Sequence, residues 1–175
     1  MIELLPLGRV DDGLVNELGE SLGKIFRTEV RTKEPVNDIV RFYDEGRDQY
    51  CSSLILQYMG SADTEGRRGS RTLAVIGEDL STPILTFVFG EAEYNGRAAI
   101  VSYYRLRPEM YGLPANRTLV VNRLLKEAAH ELGHTFGLVH CLTQHCVMHA
   151  STYVEDLELK TEKFCSTCDH LIHPA

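Results

Sequence analysis

Hydrophobic residues change their spacing several times along the chain, and each change predicts an element. Ile2, Leu4, Leu5 and Leu7, in IELLPL, predict a short strand over 2–7. Val15, Leu18, Leu22 and Ile25 recur every three or four residues, which is the period of an amphipathic helix. Weak alternation over 29–32 predicts a second strand. Tyr50, Leu54, Ile55 and Tyr58 predict a helix that closes near Gly60. The polar, glycine-rich stretch GSADTEGRRGS (60–70) then predicts a loop. Three β-like runs follow, LAVIG (73–77), ILTFVFG (84–90) and AAIVSYY (98–104), with a turn signal at Asn95–Gly96. From Asn116 to Phe136 the period is helical again, with Val121, Leu125, Ala128 and Leu132 on the apolar face.

The pattern breaks after Gly137. The remaining 38 residues are rich in Cys and His, lack obvious strands, and predict one helix from Thr161 onward. The expected organisation is α/β (α+β). An N-terminal subdomain, 1–137, carries the sheet and the long helix. A small C-terminal subdomain, 138–175, is too poor in apolar residues to hold itself together without staples.

Charge and composition narrow the function classes. The net charge of −7 offers no basic patch for a phosphate backbone or an anionic membrane. No run approaches the roughly 18 apolar residues of a membrane span, and the N-terminus lacks the pattern of a signal peptide. The expected setting is the cytoplasm, with a monomer that meets neither membrane nor nucleic acid. In a reducing compartment, clustered cysteines read as metal ligands before disulfides. Cys141, Cys146, Cys165 and Cys168 are such a cluster; Cys51 stands alone and reads as a small buried hydrophobe.

Residues 130–140 read HELGHTFGLVH. His130 and His134 are four apart on a helix, so both imidazoles leave one face one turn apart, a spacing that lets two nitrogens bind one zinc. Glu131 lies beside that face, where a general base for a metal-activated water belongs. His140 reaches the same metal only if the chain turns sharply, and Gly137 stands where a helix end needs a left-handed residue. Gly133, inside the helix, reads as a position of close packing. Three imidazoles leave one coordination position open, as in catalytic rather than structural zinc sites.

Cys141-x4-Cys146 and Cys165-x2-Cys168 suit a closed tetrahedral zinc site. His140 and Cys141 share a peptide bond, so such a zinc would brace the loop that carries the third histidine. Met148 lies eight residues past His140 and is expected to pack beneath the metal as a methionine turn, without ligating it.

HELGHTFGLVHC, followed by CVM and then FCSTC, resembles the archaemetzincins, zinc proteins of the metzincin clan. The matching positions are His130, Glu131, His134, Gly137, His140, Cys141, Cys146, Met148, Cys165 and Cys168. The resemblance implies a metzincin-like zincin fold with a twisted N-terminal mixed sheet, an active-site helix and a small zinc-stapled C-terminal lobe. It also implies two zinc ions per chain, one catalytic and one structural, and no propeptide. Many metzincins carry a tyrosine two residues after the turn methionine. That position is Ala150 here, which leaves Tyr153 and His149 as the nearby groups able to take its role.

The expected function is hydrolysis of peptide bonds in a peptide or protein substrate by a zinc-bound water that Glu131 activates. The substrate is expected to lie extended along a sheet edge, with the 84–90 run as the candidate edge. One rival is a non-catalytic or weakly active zinc protein whose cleft binds a peptide or protein partner. Intact Glu131 argues against it, because structural zinc needs no base. A nucleic-acid-binding zinc module is the other rival. It fits poorly, since residues 138–175 hold five acidic side chains against two Lys/Arg.

Overall fold

The computed structural model describes residues 1–62 and 69–174, so positions 63–68 of the expected loop lie outside the described residues. Strands β1 (Ile2–Leu7), β2 (Val30–Thr32), β5 (Arg71–Ile76), β7 (Gly90–Ala92) and β8 (Ala98–Ser102) form one sheet in the order β2-β1-β5-β8-β7. The first four pair in parallel; β7 is antiparallel to β8 and forms one edge of the sheet. A smaller sheet joins β3 (Tyr43–Asp44), β4 (Gln49–Cys51) and β6 (Leu80–Ser81).

The period of two in the strands divides the core. Leu73 and Val75 of β5 and Ala99 and Val101 of β8 face helices α1 (Asp12–Ile25) and α3 (Arg117–Thr135). Ala74, Ile76, Ala98 and Ile100 face the other way, towards Ile55, Leu56 and Met59 of α2 (Ser52–Ala62). Both faces of the sheet are therefore covered, as parallel strands require. Two short helices follow, α4 (Asp156–Leu159) and α5 (Ser166–Ile172). Val147, Met148, Leu157, Cys168 and Ile172 from this last segment enter the same core as α1 and α3.

The mixed α/β reading holds, and three local readings are corrected. Residues 84–89 form no strand: Val88 makes a single bridge to Leu80, and regular pairing begins only at Gly90. Pro83, which has no N–H to give a ladder, precedes the run. Tyr50 belongs to β4, so α2 starts at Ser52. The terminal helix begins at Ser166 instead of near Thr161. Among the described residues, no helix is long and apolar enough to cross a membrane.

Candidate metal centre and active site

Helix α3 begins at Asn116, whose side-chain oxygen accepts the Leu119 N–H at 3.0 Å. It ends where Gly137 takes φ +85°, with the Gly137 N–H on His134 O (2.9 Å) and the Leu138 N–H on Gly133 O (3.1 Å). These two bonds make a Schellman motif, which reverses the chain and returns His140 to the face that carries His130 and His134. The three imidazoles offer nitrogens that all lie within 4.8 Å of one another. His130 is buried, His134 half-buried and His140 exposed, so the group opens outward.

The tautomers follow from the partners. A carbonyl only accepts, so His130 Nδ1–H donates to Val147 O (2.9 Å) and His134 Nδ1–H donates to Leu138 O (2.8 Å). Both Nε2 atoms are then bare lone pairs, 3.1 Å apart. Burial holds the His130 imidazole well below its usual pKa, with the Lys160 charge adding to the effect, so a proton is a poor occupant. Burial lowers His140 as well. Converging neutral nitrogens fixed by carbonyls at Nδ1 are the donor set that a divalent zinc takes.

Met148 is fully buried beneath this face. A side chain at Gly133 would overlap its Sδ, so Gly133 is the space into which the methionine packs. The flanking residues hold the rest of the site. Val147 O fixes His130, Met148 O accepts the Cys141 N–H (2.8 Å), and the His149 Nδ1–H donates to Cys141 O (3.0 Å). Ala150, where many metzincins carry a tyrosine, is exposed; Tyr153 is exposed on the cleft wall, and His149 is occupied with Cys141.

Cys141, Cys146, Cys165 and Cys168 bring their four sulfurs within 4.8 Å of one another, all as free thiols. A tetrahedron with zinc–sulfur bonds of about 2.3 Å has edges of about 3.8 Å. Cys141 Sγ and Cys165 Sγ are 3.8 Å apart. Backbone N–H groups of Thr143 and Cys165 point at Cys141 Sγ (3.4 Å) and Cys146 Sγ (3.3 Å), as donors do to thiolates. A hydrogen bond with the Cys168 backbone, aided by neighbouring sulfurs, lowers the Cys165 thiol to about 7. Burial raises Cys146 and Cys168. Four sulfurs at this spacing fit a soft divalent ion. Cys51 lies apart, half-buried at the end of β4.

A cleft of about 810 Å³ opens over the histidines, bounded by residues 85–92 on one side and 151–153 on the other. Glu131, 7% exposed, lies in its floor and has no hydrogen-bond partner among the described residues. Gly90 of β7 lies directly over it: a Cβ there would fall 2.6 Å from Glu131 Cγ. Burial and the nearby Glu127 carboxylate push the Glu131 carboxyl well above its usual range, while Lys160 pulls it back.

Sequence reading missed three parts of this cleft. Glu127 is 4% exposed, one turn before Glu131, and pairs with buried Lys160 at 3.3 Å. Its spacing of four from Glu131 was a usable signal. Nothing in the sequence marks Lys160, which lies 33 residues away. Gly90 reads as an ordinary strand end until the helix beneath it is known.

A model described as Peptidase family M54 matches residues 64–174. Archaemetzincin from Methanocaldococcus jannaschii is 38% identical over 164 residues, covering 93% of this chain and 87% of that protein. Archaemetzincin from Thermococcus kodakarensis is 33% identical over 176 residues, covering 97% and 93%. The crystal structure of a zinc-dependent peptidase from Methanocorpusculum labreanum superposes with a TM-score of 0.90 at 28% identity, covering 99% of this chain and 100% of that one. Archaemetzincin from Archaeoglobus fulgidus, complexed with malonate, gives 0.82 at 34% identity, covering 98% and 99%. With a family model over more than half its length and relatives this similar over nearly all of it, the chain belongs to the archaemetzincins, peptidase family M54, and is a zinc metallopeptidase.

Proposed function

We propose that His130, His134 and His140 hold the catalytic zinc, that Glu131 is the general base, and that Cys141, Cys146, Cys165 and Cys168 hold a second, structural zinc. The total would be two zinc ions per chain. Zinc at the histidines supplies Lewis acidity, which polarises a carbonyl and makes water a nucleophile at neutral pH. The observation that carries the reading is the pair of facing lone pairs on His130 and His134, 3.1 Å apart, with unpartnered Glu131 beside them.

Glu131 takes the proton from the attacking water and passes it to the leaving amine. Its burial strengthens this role, because a desolvated carboxylate is a better base than one in water. The peptide adds as a strand to β7. Ser102 donates to Phe89 O and Glu93 to Ala98 O, so alternate residues of the edge turn their backbone towards β8. Gly90 and Ala92 are then the residues whose N–H and C=O face the cleft. The structural zinc and Met148 make residues 138–175 a small subdomain that supports His140.

Replacing Glu131 with Ala tests the base. The variant is expected to keep its zinc, measured by metal analysis, while peptide turnover falls about 10²–10⁴-fold. Turnover equal to the parent's would remove Glu131 from the mechanism.

A further inference from the structure

Glu127 has a place in the cleft that the hydrolytic reading leaves unused. It lies about 6 Å along α3 from Glu131, on the same face, and lines the cleft to which Ser151, Thr152 and Tyr153 also contribute. Its Oε1 accepts from Lys160, whose ammonium also donates to His149 O at 3.1 Å. Among the described residues no donor reaches its Oε2. Ser151, which lines the same cleft, has its Oγ sealed from solvent and without a partner among the described residues. The backbone that carries this wall is fixed, because the Thr152 and Tyr153 N–H groups both donate to Asp156 Oδ2, at 2.7 and 2.8 Å.

A carboxylate oxygen without a donor, on the cleft lining one helical turn from the catalytic base, is a binding feature. Buried polar atoms are normally paired, and a buried carboxylate oxygen is the most costly to leave open. Net field does not supply the selectivity. Glu91, Glu127 and Glu131 outnumber Lys160 by two charges, and a zinc dication offsets those two. The selective element is the open acceptor itself. Resting on the cleft being the peptide site, we propose that Glu127 is a specificity determinant: the cleft beside it takes a substrate side chain that ends in a hydrogen-bond donor, cationic by preference, and rejects an apolar chain of the same length.

The test uses zinc-loaded enzyme and two minimal probes, N-acetyl-lysine methylamide and N-acetyl-norleucine methylamide, with their integrity checked after each titration. Binding is followed through the backbone amide resonances of Ser151, Thr152 and Tyr153. The lysine probe is expected to bind at least about tenfold more tightly, as sites built around a polar partner reject analogues that lack it. In Glu127→Gln this ratio should fall below about twofold. Equal binding of the two probes, tighter binding of norleucine, or binding of neither overturns the inference, and so does an unchanged ratio in Glu127→Gln. If Glu127→Gln does not fold, the unmodified enzyme decides alone. There N-ε-acetyl-lysine, which keeps one donor and loses the charge, should bind between the other two probes. Placement outside that order overturns the inference. None of these readouts needs turnover, so failure here is separable from failure of Glu131 as base.

Discussion

Gly133 and Gly90 bound the reacting face from below and above, and each can be tested by one methyl group. Alanine at 133 gains helix propensity worth about 1 kcal/mol. Its Cβ, however, meets the Sδ of fully buried Met148 and comes within 3.4 Å of half-buried Phe164. Overpacking of this kind costs about 1–3 kcal/mol. Gly133→Ala is therefore expected to lower stability by about 1 kcal/mol in denaturant titrations. A variant as stable as the parent would mean that Met148 moves aside freely. At Gly90 the new Cβ would lie 2.7 Å from the Ile100 carbonyl, which is backbone and does not yield, so Glu131 must shift. Gly90→Ala should keep its zinc and lose on the order of 10²-fold in kcat/KM. Unchanged kinetics would show that Glu131 is not held by the edge strand.

The long helix was the most legible element, and its misreading is instructive. Its length and caps follow from Asn116, the helical period and Gly137. Its apolar face follows in part: Ala128 and Leu132 are fully buried as expected, but Val121 and Leu125 are half-buried against the core, while Val120 and Leu124 are buried. The cause is contact on several sides. The sheet and α1 cover one side of α3 and the 147–160 segment covers another, so Arg123, Glu127 and Glu131 are buried too. Burial of charge has no periodic signature, because each charged group answers to a partner far away in sequence. Arg123 bonds Glu158 at 2.8 Å and the Leu106 carbonyl at 2.9 Å; Glu127 answers to Lys160. The run 84–90 failed for the opposite reason, since its apolar residues line a cleft instead of pairing in a sheet.

The Glu127–Lys160 pair also sets a pH dependence between elements. Burial raises the Glu127 carboxyl above its usual range, and Lys160 partly offsets this. Between the ordinary value and the raised one, the native state binds more protons than the unfolded chain, so this contribution to stability falls as pH rises. Lys160→Met removes the offset and widens that window. The variant is expected to be about 3–5 kcal/mol less stable at neutral pH, the usual result of breaking a buried pair. The deficit should shrink as pH falls and Glu127 becomes protonated in the native state. A deficit that does not depend on pH would assign the loss to packing alone.

At the scale of the molecule, the last 38 residues share the core of α1 and α3, and several of their ties converge on the histidine and cysteine clusters. His140 and Cys141 share a peptide bond. Cys141 is strapped to Met148 and His149 by two hydrogen bonds, and Val147 orients His130. Phe26 at the end of α1 stacks on Phe136 (5.4 Å) and meets Phe164 edge-on (5.5 Å), next to Cys165. Loss of the cysteine metal would free Cys141 and Cys165 together, and with them the support for His140. On the proposed two-zinc reading, Cys165→Ser should therefore lower the zinc content and also weaken zinc at the histidines, by roughly 10–100-fold as for other supporting groups. The melting temperature should fall in the same variant, because the core shared by Met148, Leu157, Cys168 and Leu132 loses its staple. Chelator titration with metal analysis, alongside thermal melting, separates the possibilities. If Cys165→Ser keeps one zinc with the parent's affinity and melts with the parent, the two sites are independent and the cysteines do not hold the catalytic loop.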